Sequence, residues 1–518
     1  MPAGPFLSRL GFTDDPFEFT NADDEPQLTD YFVPPPYFLT IFGDPEHPRS
    51  HVVLAPRGGG KSAQRRMIEA RADAHGKILC VTYERFDQPS GLNLGSVTHA
   101  YHMNQLSRLV LVGILVAINA NTQLVNRLTS QQKRILKASI ARFLGQLSTQ
   151  QFNDAVSALK SFGDKASAFW RKYGGPVAVG INVILKRFGI DKIELPPQML
   201  EEARRDDSLS YYFGELVQIV RTIGFDSTYI LVDKVDELQL TADATSAYQF
   251  IRPLLLDLPT LETSGVAFKL FLWEEIEKKF TKEGRTDRVP VEHLSWTVRD
   301  LEKMLSRRLE VYSAGQVRSF NRLLCDDSTV DVHRLVAHIA NGSPRDMIRL
   351  AQRIVAEETR TVRNPKCLSE TSIWAGVQKF SVLRSTELFQ DAVAEVARID
   401  APTFTLNHLA NDLLHVSHEA ARQRVRNWER TGIIRQVGTI PNKGQRPLKL
   451  FALADVRVMI AIAPEADVSD LLRTNALVCP DCGGLCVTDR DPAHCPGCGH
   501  QVDRRRGKSL REECTLKS

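Results

Sequence analysis

The sequence predicts an α/β fold: a parallel sheet interrupted by a helical insertion, then a run of helices, then two small modules. Three observations predict it. Short aliphatic and β-branched runs ("HVVL", "KILCVTYERF", "STYILVD") recur with helix-forming stretches between them, the pattern of parallel strands joined by crossovers. A glycine-rich turn, "APRGGGKS" at 55–62, lies between the first run and a helix-forming stretch. Near the C-terminus, four cysteines stand in two C-x2-C pairs.

The 518 residues suffice for two to four domains, and 43% hydrophobic with 25% charged residues is a globular composition. A net charge of +4 is too small to imply nucleic acid by itself, so only local clusters bear on that question. The longest apolar runs, 109–118 and 176–185, fall short of the ~20 residues that span a bilayer and are expected to be buried, with no membrane partner. Five of nine cysteines fall between 479 and 498, which points to metal rather than disulfides in a reducing compartment. The opening "MPAGPFLSRLGFTDDPFEF" has no basic start followed by an apolar stretch, so a cytoplasmic protein is expected.

"HVVL" (51–54) suits a central parallel strand, and "SAQRRMIEARADA" suits a helix whose positive end faces the turn between them. Such a turn cradles phosphates through converging backbone N–H groups, and Gly58, Gly59 and Gly60 let the backbone approach an anion. The candidate cradle is Ala55, Pro56, Arg57, Gly58, Gly59, Gly60, Lys61, Ser62 and Ala63. Lys61 is expected on the β- and γ-phosphates of ATP, and the Ser62 hydroxyl on Mg²⁺. The P-loop pattern G-x-x-x-x-G-K-[S/T] has glycine where this chain has Ala55.

The second half of such a site is a buried strand ending in an acid. "STYILVDKVDELQL" (227–240) supplies it, with Asp233 at the strand's C-terminal edge, expected to hold Mg²⁺ through water. The residue after Asp233 is Lys234, so the acids able to polarise an attacking water are Asp236 and Glu237, of which Glu237 is preferred.

On these motifs the chain resembles the AAA+ and STAND-like P-loop ATPases, especially their origin-recognition and transposition-helper branch, over roughly residues 10–465. "YILVDKVDEL" is similar to the family's acidic strand, and "VEHLSWTVRDLEKMLSRRLEVYS" (291–313) to the last core strand with the first lid helix. "DDPFEFTNADDEPQLTDYFVPPPYF" resembles the segment beside the adenine. "ANGSPRDMIRLAQRIV" (340–355) resembles the sensor-2 helix of the lid, which implies that Gly342 opens the turn and Arg345 faces the γ-phosphate. A guanidinium on a separate helical lid grips the terminal phosphate only when the lid closes. The chain departs from the family at "GVAFKLFLWEEI" (265–276), where Trp273 and Glu274 stand in place of a polar sensor 1. Arg285 and Arg288 read equally as an arginine finger or as a solvated basic loop.

About 140 residues separate the second strand from the Asp233 strand, and residues 100–208 read as a helical insertion for a partner, an oligomer contact or core packing. "SQQKRILKASIARFLGQL" (130–147) has helical spacing, while "FGDKASAFWRKYGGPVAVGINVILKRFG" is expected as a hairpin or loop.

Residues 404–453 have the pattern of a winged helix-turn-helix, with Ser417 as N-cap and Gly432 ending the second helix. Between 417 and 449 there are eight Arg or Lys and two acids. Arg422, Arg424 and Arg426 on that helix, with Lys443 and Arg446 in the wing, are candidate contacts to double-stranded DNA. The same module serves protein contacts in STAND-like proteins, and both readings stay open. Cys479, Cys482, Cys495 and Cys498 form C-x2-C-x12-C-x2-C, a closed Zn²⁺ site with a structural role; Cys486 is a spare, and His494 and His500 read as bystanders, although each could substitute for a thiol.

The expected organisation is an N-terminal segment packing on the ATPase core (1–50), a P-loop ATPase core (51–298, insertion 100–208), a helical lid (299–385), a winged helix-turn-helix (386–465), a zinc ribbon (474–502) and a disordered basic tail (503–518). The expected function is an ATP-hydrolysing switch in a DNA-associated process (replication, transposition or mobile-element defence), as a homo-oligomer or with a partner protein. The alternative is a signalling or scaffold ATPase whose winged helix never meets DNA.

Overall fold

The computed structural model describes residues 4–88, 91–145, 147–173, 183–399, 401–442 and 446–516. The chain divides into two compact units, Pro34–Leu294 and Met1–Val33 with Ser295–Ser518.

The first unit is built on a five-stranded sheet of β1 (His51–Ala55), β2 (Ile78–Tyr83), β3 (Ser227–Val232), β4 (Val266–Trp273) and β5 (Val291–His293), in the order β2-β3-β4-β1-β5. Every pairing is parallel. Every residue of β1, β2 and β3 is buried, because helices cover both faces, and this explains why their sequences read as unbroken apolar runs. A helix, Lys61–His75, follows β1, and another, His99–Ala120, follows β2. The second contains the 109–118 run. It is long and apolar enough to cross a membrane, but 78% of that window is buried within the protein. It presses so closely on β2 that a Cβ at Gly113 would lie 2.8 Å from Leu79, which only glycine avoids.

The insertion is helical, with helices Ser130–Phe143, Thr149–Ser157, Gly163–Tyr173 and Pro197–Arg204. Thr129 and Gln132 form a capping box that starts the first of them. The stretch expected as a hairpin or loop is corrected: Gly163–Tyr173 is a helix, and its buried Ala166, Phe169 and Tyr173 sit at helical spacing. Much of the 176–185 run lies outside the described residues. The insertion and the helix Leu209–Thr222 share one continuous hydrophobic core with the sheet.

In the second unit, helices Val298–Tyr312, Val332–Ile339, Pro344–Thr361 and Glu370–Phe389 form the helical body. The N-terminal segment divides. Residues 4–33 belong to this unit and not, as expected of 1–50, to the sheet unit, because the fully buried Arg308 gathers them: it bonds the carbonyls of Pro16 and Phe19, the Tyr31 hydroxyl and Glu25. Phe17 meets Phe320 at 5.4 Å between centroids. Phe38–Phe42 stays with the sheet unit, where Tyr229 Oη donates to the Phe42 carbonyl at 2.8 Å. The expectation of no disulfides is also corrected: Cys325 and Cys367 are bonded. Backbone pairing of Leu324 with Leu368, with Cys325 N–H on the Leu368 carbonyl at 3.0 Å, brings them together, and their separation of 42 residues hid the pair from sequence.

Beyond the helices, β6 (Thr403–Thr405), β7 (Ile434–Ile440) and β8 (Leu448–Leu453) form an antiparallel sheet in the order β6-β8-β7. Between β6 and β7 lie a short helical turn and the helix His418–Thr431, giving the chain order of a winged helix-turn-helix. Ser417 caps that helix by accepting from Ala420 N–H at 3.2 Å, and Gly432, at φ 77°, ends it. Next come β9 (Ala476–Val478), β10 (Leu485–Val487), β11 (Ala493–His494) and β12 (Gln501–Val502), the two hairpins that carry the cysteines. The tail is ordered through Leu516, contrary to expectation. β13 (Lys508–Ser509) pairs with β9, and Ser509 and Glu512 cap the helix Leu510–Glu513. Its basic composition concealed two buried anchors, Leu510 and Cys514.

Candidate nucleotide site and cysteine cluster

β1 ends at Ala55, and the loop 56–60 turns into the helix that starts at Lys61. The turn depends on Gly58 (φ 80°) and Gly60 (φ 97°), left-handed conformations that a side chain disfavours. Lys61 is buried, and its Nζ donates to the carbonyls of Ala55 at 3.2 Å and Pro56 at 3.4 Å. Burial lowers its pKa, while Asp236 and Asp233 pull it back up. Ser62 and Ala63 occupy the next positions of the helix.

Asp233 stands at the C-terminal end of β3 and is buried. Asp236 and Glu237 follow on a 3₁₀ turn, in different surroundings. Asp236 is buried and faces the phosphate-loop cations: Arg57 Nε donates to Oδ2 at 3.0 Å, Arg57 Nη2 to its carbonyl at 2.9 Å, and Lys61 Nζ lies 4.0 Å from Oδ1. Glu237 is exposed. Arg57 also lies over the Trp273 ring at 4.2 Å, so β4 ends in an aromatic platform for that guanidinium. Burial, then the neighbouring Glu275, raises the Glu274 carboxyl.

Two residues of this edge, Arg65 and Glu84, were missed from sequence. Arg65, one turn beyond Lys61, is fully buried; its Nε donates to Asp233 Oδ2 at 2.9 Å and its Nη1 to Glu69 at 2.5 Å. Glu84, just past β2, faces Lys160 at 2.5 Å, Lys234 at 3.1 Å and Arg65 at 3.6 Å. Burial alone would raise the Glu84 carboxyl, but Arg65, Lys160 and Lys234 outweigh it and hold it below its ordinary value. The available signal was the Arg65/Glu69 pair at helical i,i+4 spacing on a helix that must bury one face.

In the second unit, Arg345 is exposed on the first turn of Pro344–Thr361. Gly342 (φ 75°) opens that turn, and Ser343 caps it by accepting from Asp346 N–H at 3.2 Å. Asp346 is buried, bonded to Arg457 at 2.6 Å and Arg384 at 2.8 Å, so the turn bearing Arg345 is anchored to the helix Val456–Ile462 after β8. Arg285 pairs with Asp287 at 2.8 Å and Arg288 with Glu262 at 2.5 Å. On the helix His418–Thr431 Arg422 and Arg426 are exposed and Arg424 is half-buried, and Arg446 before β8 is exposed; Lys443 lies outside the described residues.

The sulfurs of Cys479, Cys482, Cys495 and Cys498 all lie within 4.8 Å of one another. Cys479 and Cys498 are 3.7 Å apart and Cys482 and Cys495 3.4 Å. Tetrahedral Zn–S bonds of ~2.3 Å put sulfurs about 3.8 Å apart, so the four fit a closed zinc site. As a thiol Cys482 resists ionisation, since burial and then the neighbouring sulfurs push it up to about 12; a dication reverses this. Cys486 is buried outside the set, and His500 pairs with Asp481 at 2.9 Å. Asp481, Cys498 and His500 form a second, exposed grouping that shares Cys498 with the first.

No family model matches the chain, and no curated protein matches it. Among solved structures, it is similar to the Orc1 protein of Aeropyrum pernix in complex with DNA (13% identity, 88% of this chain and 98% of that one, TM-score 0.33). It is also similar to the Aeropyrum pernix Orc2 protein in ADPNP–ADP complexes (10%, 84% and 96%, TM-score 0.37) and to Cdc6p of Pyrobaculum aerophilum (12%, 87% and 98%, TM-score 0.28). The likeness concerns the fold alone, and what this site can do is read from its own geometry.

Proposed function

We propose that the chain binds and hydrolyses ATP with Mg²⁺ and acts as a nucleotide-dependent switch in a DNA-associated process. One observation carries this reading. A glycine turn with a buried lysine and a strand ending in a buried aspartate meet at the C-terminal edge of one parallel sheet, where such sheets bind ligands. Lys61 and the loop N–H groups hold the β- and γ-phosphates; Ser62 and Asp233 suit Mg²⁺ held through water. Asp236 neutralises Arg57 and Lys61, and the exposed Glu237 orients the attacking water. Arg345 senses the terminal phosphate, and the Asp346–Arg457 anchor passes its movement to the winged helix.

DNA is the partner that fits the exposed arginines of the helix His418–Thr431. The test is duplex binding by fluorescence anisotropy across a salt series, with and without ATP. Arg422→Ala with Arg426→Ala is expected to weaken binding and to reduce the salt slope by ~0.9 for each phosphate that is no longer neutralised. Unchanged affinity and slope remove this helix from the DNA interface.

A further inference from the structure

Both oxygens of Asp233 are engaged by protein groups. Oδ2 accepts from Arg65 Nε at 2.9 Å, and Oδ1 accepts from the backbone N–H of Lys234 at 2.9 Å. Lys234 itself stands at φ 60°, a left-handed conformation uncommon for a lysine. Both gripping residues converge on one further carboxylate. Glu84 Oε2 lies 3.1 Å from Lys234 Nζ and 3.6 Å from Arg65 Nη2, and its own side chain is 9% exposed. Its other oxygen meets Lys160 Nζ at 2.5 Å, and Lys160 belongs to the 3₁₀ turn Lys160–Phe162 of the helical insertion. Arg65 has no exposed side-chain surface, so its orientation is set by its carboxylate partners Asp233, Glu69 and Glu84.

We propose that Glu84 is a positioning residue for Asp233: it holds the two groups that grip this carboxylate and links them, through Lys160, to the helical insertion. The inference rests on Asp233 serving Mg²⁺ in the proposed nucleotide site. Outer partners of a metal-binding carboxylate set its direction and its available charge. With Glu84 in place, the Arg65 guanidinium is shared between two carboxylates while the Lys234 ammonium is held on Glu84, and Asp233 keeps enough negative charge for a hydrated dication. Without it, the Arg65 charge falls more fully to Asp233 and opposes the metal, and the Lys234 residue that grips Oδ1 loses this hold on its side chain. Lys160 tightens the hub from outside, so an event that displaces its turn weakens Mg²⁺ at a site it does not touch. The insertion thereby gains a route to nucleotide handling.

The test uses the full chain and a fluorescent ATP analogue, with binding titrated against Mg²⁺ and, separately, in EDTA. Glu84→Gln is expected to raise the Mg²⁺ needed for half-maximal enhancement by about 10-fold, within the 10- to 100-fold range for outer-shell partners. Affinity in EDTA stays as in wild type, a split that general loosening of the fold would not produce. Lys160→Met, at a partly exposed position, shifts the Mg²⁺ requirement in the same direction by a smaller factor. The double variant matches Glu84→Gln alone, because Lys160 acts through Glu84. An unchanged Mg²⁺ requirement in both single variants overturns the proposal while leaving the nucleotide site standing, and so do additive effects in the double. If Glu84→Gln does not fold, as judged by circular dichroism, Lys160→Met decides alone: an unshifted requirement overturns the proposal. If wild type binds no nucleotide, the functional reading itself fails.

Discussion

Arg457→Met tests the junction between the turn bearing Arg345 and the helix Val456–Ile462 that follows β8. Arg457 forks onto Asp455, with Nε at 3.0 Å from both oxygens and Nη2 at 2.5 Å from Oδ2, and it reaches Asp346 at 2.6 Å. Arg457, Asp455 and Asp346 are all buried. Removing one partner of a buried pair costs about 3–5 kcal/mol, because the remaining charge stays buried. Asp346 keeps Arg384 at 2.8 Å, so the lower end, about 3 kcal/mol, is expected. At roughly 2–4 °C per kcal/mol for a unit of this size, the melting transition falls by about 6–12 °C at pH 7. The pH dependence is more diagnostic. Burial alone would raise the Asp455 carboxyl, but the Arg457 charge and hydrogen bonds outweigh it and hold it below its ordinary value. In wild type, its contribution is therefore present above the unfolded carboxylate pKa, about 3.9, and is lost as pH falls through the lower folded value. In the variant, burial persists without the cation, so proton uptake relieves the penalty and the gap to wild type narrows from pH 7 towards pH 4. Calorimetry at several pH values reads both. A loss under 1 kcal/mol, or a gap constant with pH, would refute the junction.

Cys495→Ser should reduce zinc from one ion per chain to near none by elemental analysis and abolish hydrogen-exchange protection in the two hairpins, β9 with β10 and β11 with β12; protected amides in zinc-free protein would contradict a structural site. Lys269 is fully buried on β4, donates to the Arg49 carbonyl at 2.6 Å, and is pushed down to about 7 by burial. Between there and the unfolded value of about 10.4, the unfolded chain holds a proton that the folded chain has shed, so stability rises with pH across that window. Lys269→Met should flatten the rise in denaturant titrations from pH 7 to 10, and an undiminished slope assigns it elsewhere.

The sheet was legible because parallel strands covered on both faces are written as continuous apolar runs. Each of "HVVL", "KILCVTYERF" and "YILV" became a strand, within three residues of its ends. The caps at Ser417 and Gly432 are local, encoded within four residues of the helix end that they serve. The Cys-x2-Cys pairs were legible for the same reason. What failed to show was non-local. Arg308 gathers residues 4–33 from nearly 300 positions away, and the Cys325–Cys367 bond closes over a pairing that no pattern announces. At the site, the phosphate loop and Asp233 were visible as motifs. Arg65 and Glu84 were not, because a buried charge is indistinguishable in sequence from a solvated one until its partners are known.

The most direct measurement of the central claim is calorimetric titration of the full chain with ATP and Mg²⁺, beside Lys61→Ala. The account predicts one site per chain in wild type. It also predicts an affinity lower by on the order of 10- to 100-fold in the variant, the worth of a charged hydrogen bond to phosphate. No heat of binding in wild type, or equal affinity in the two proteins, would contradict it.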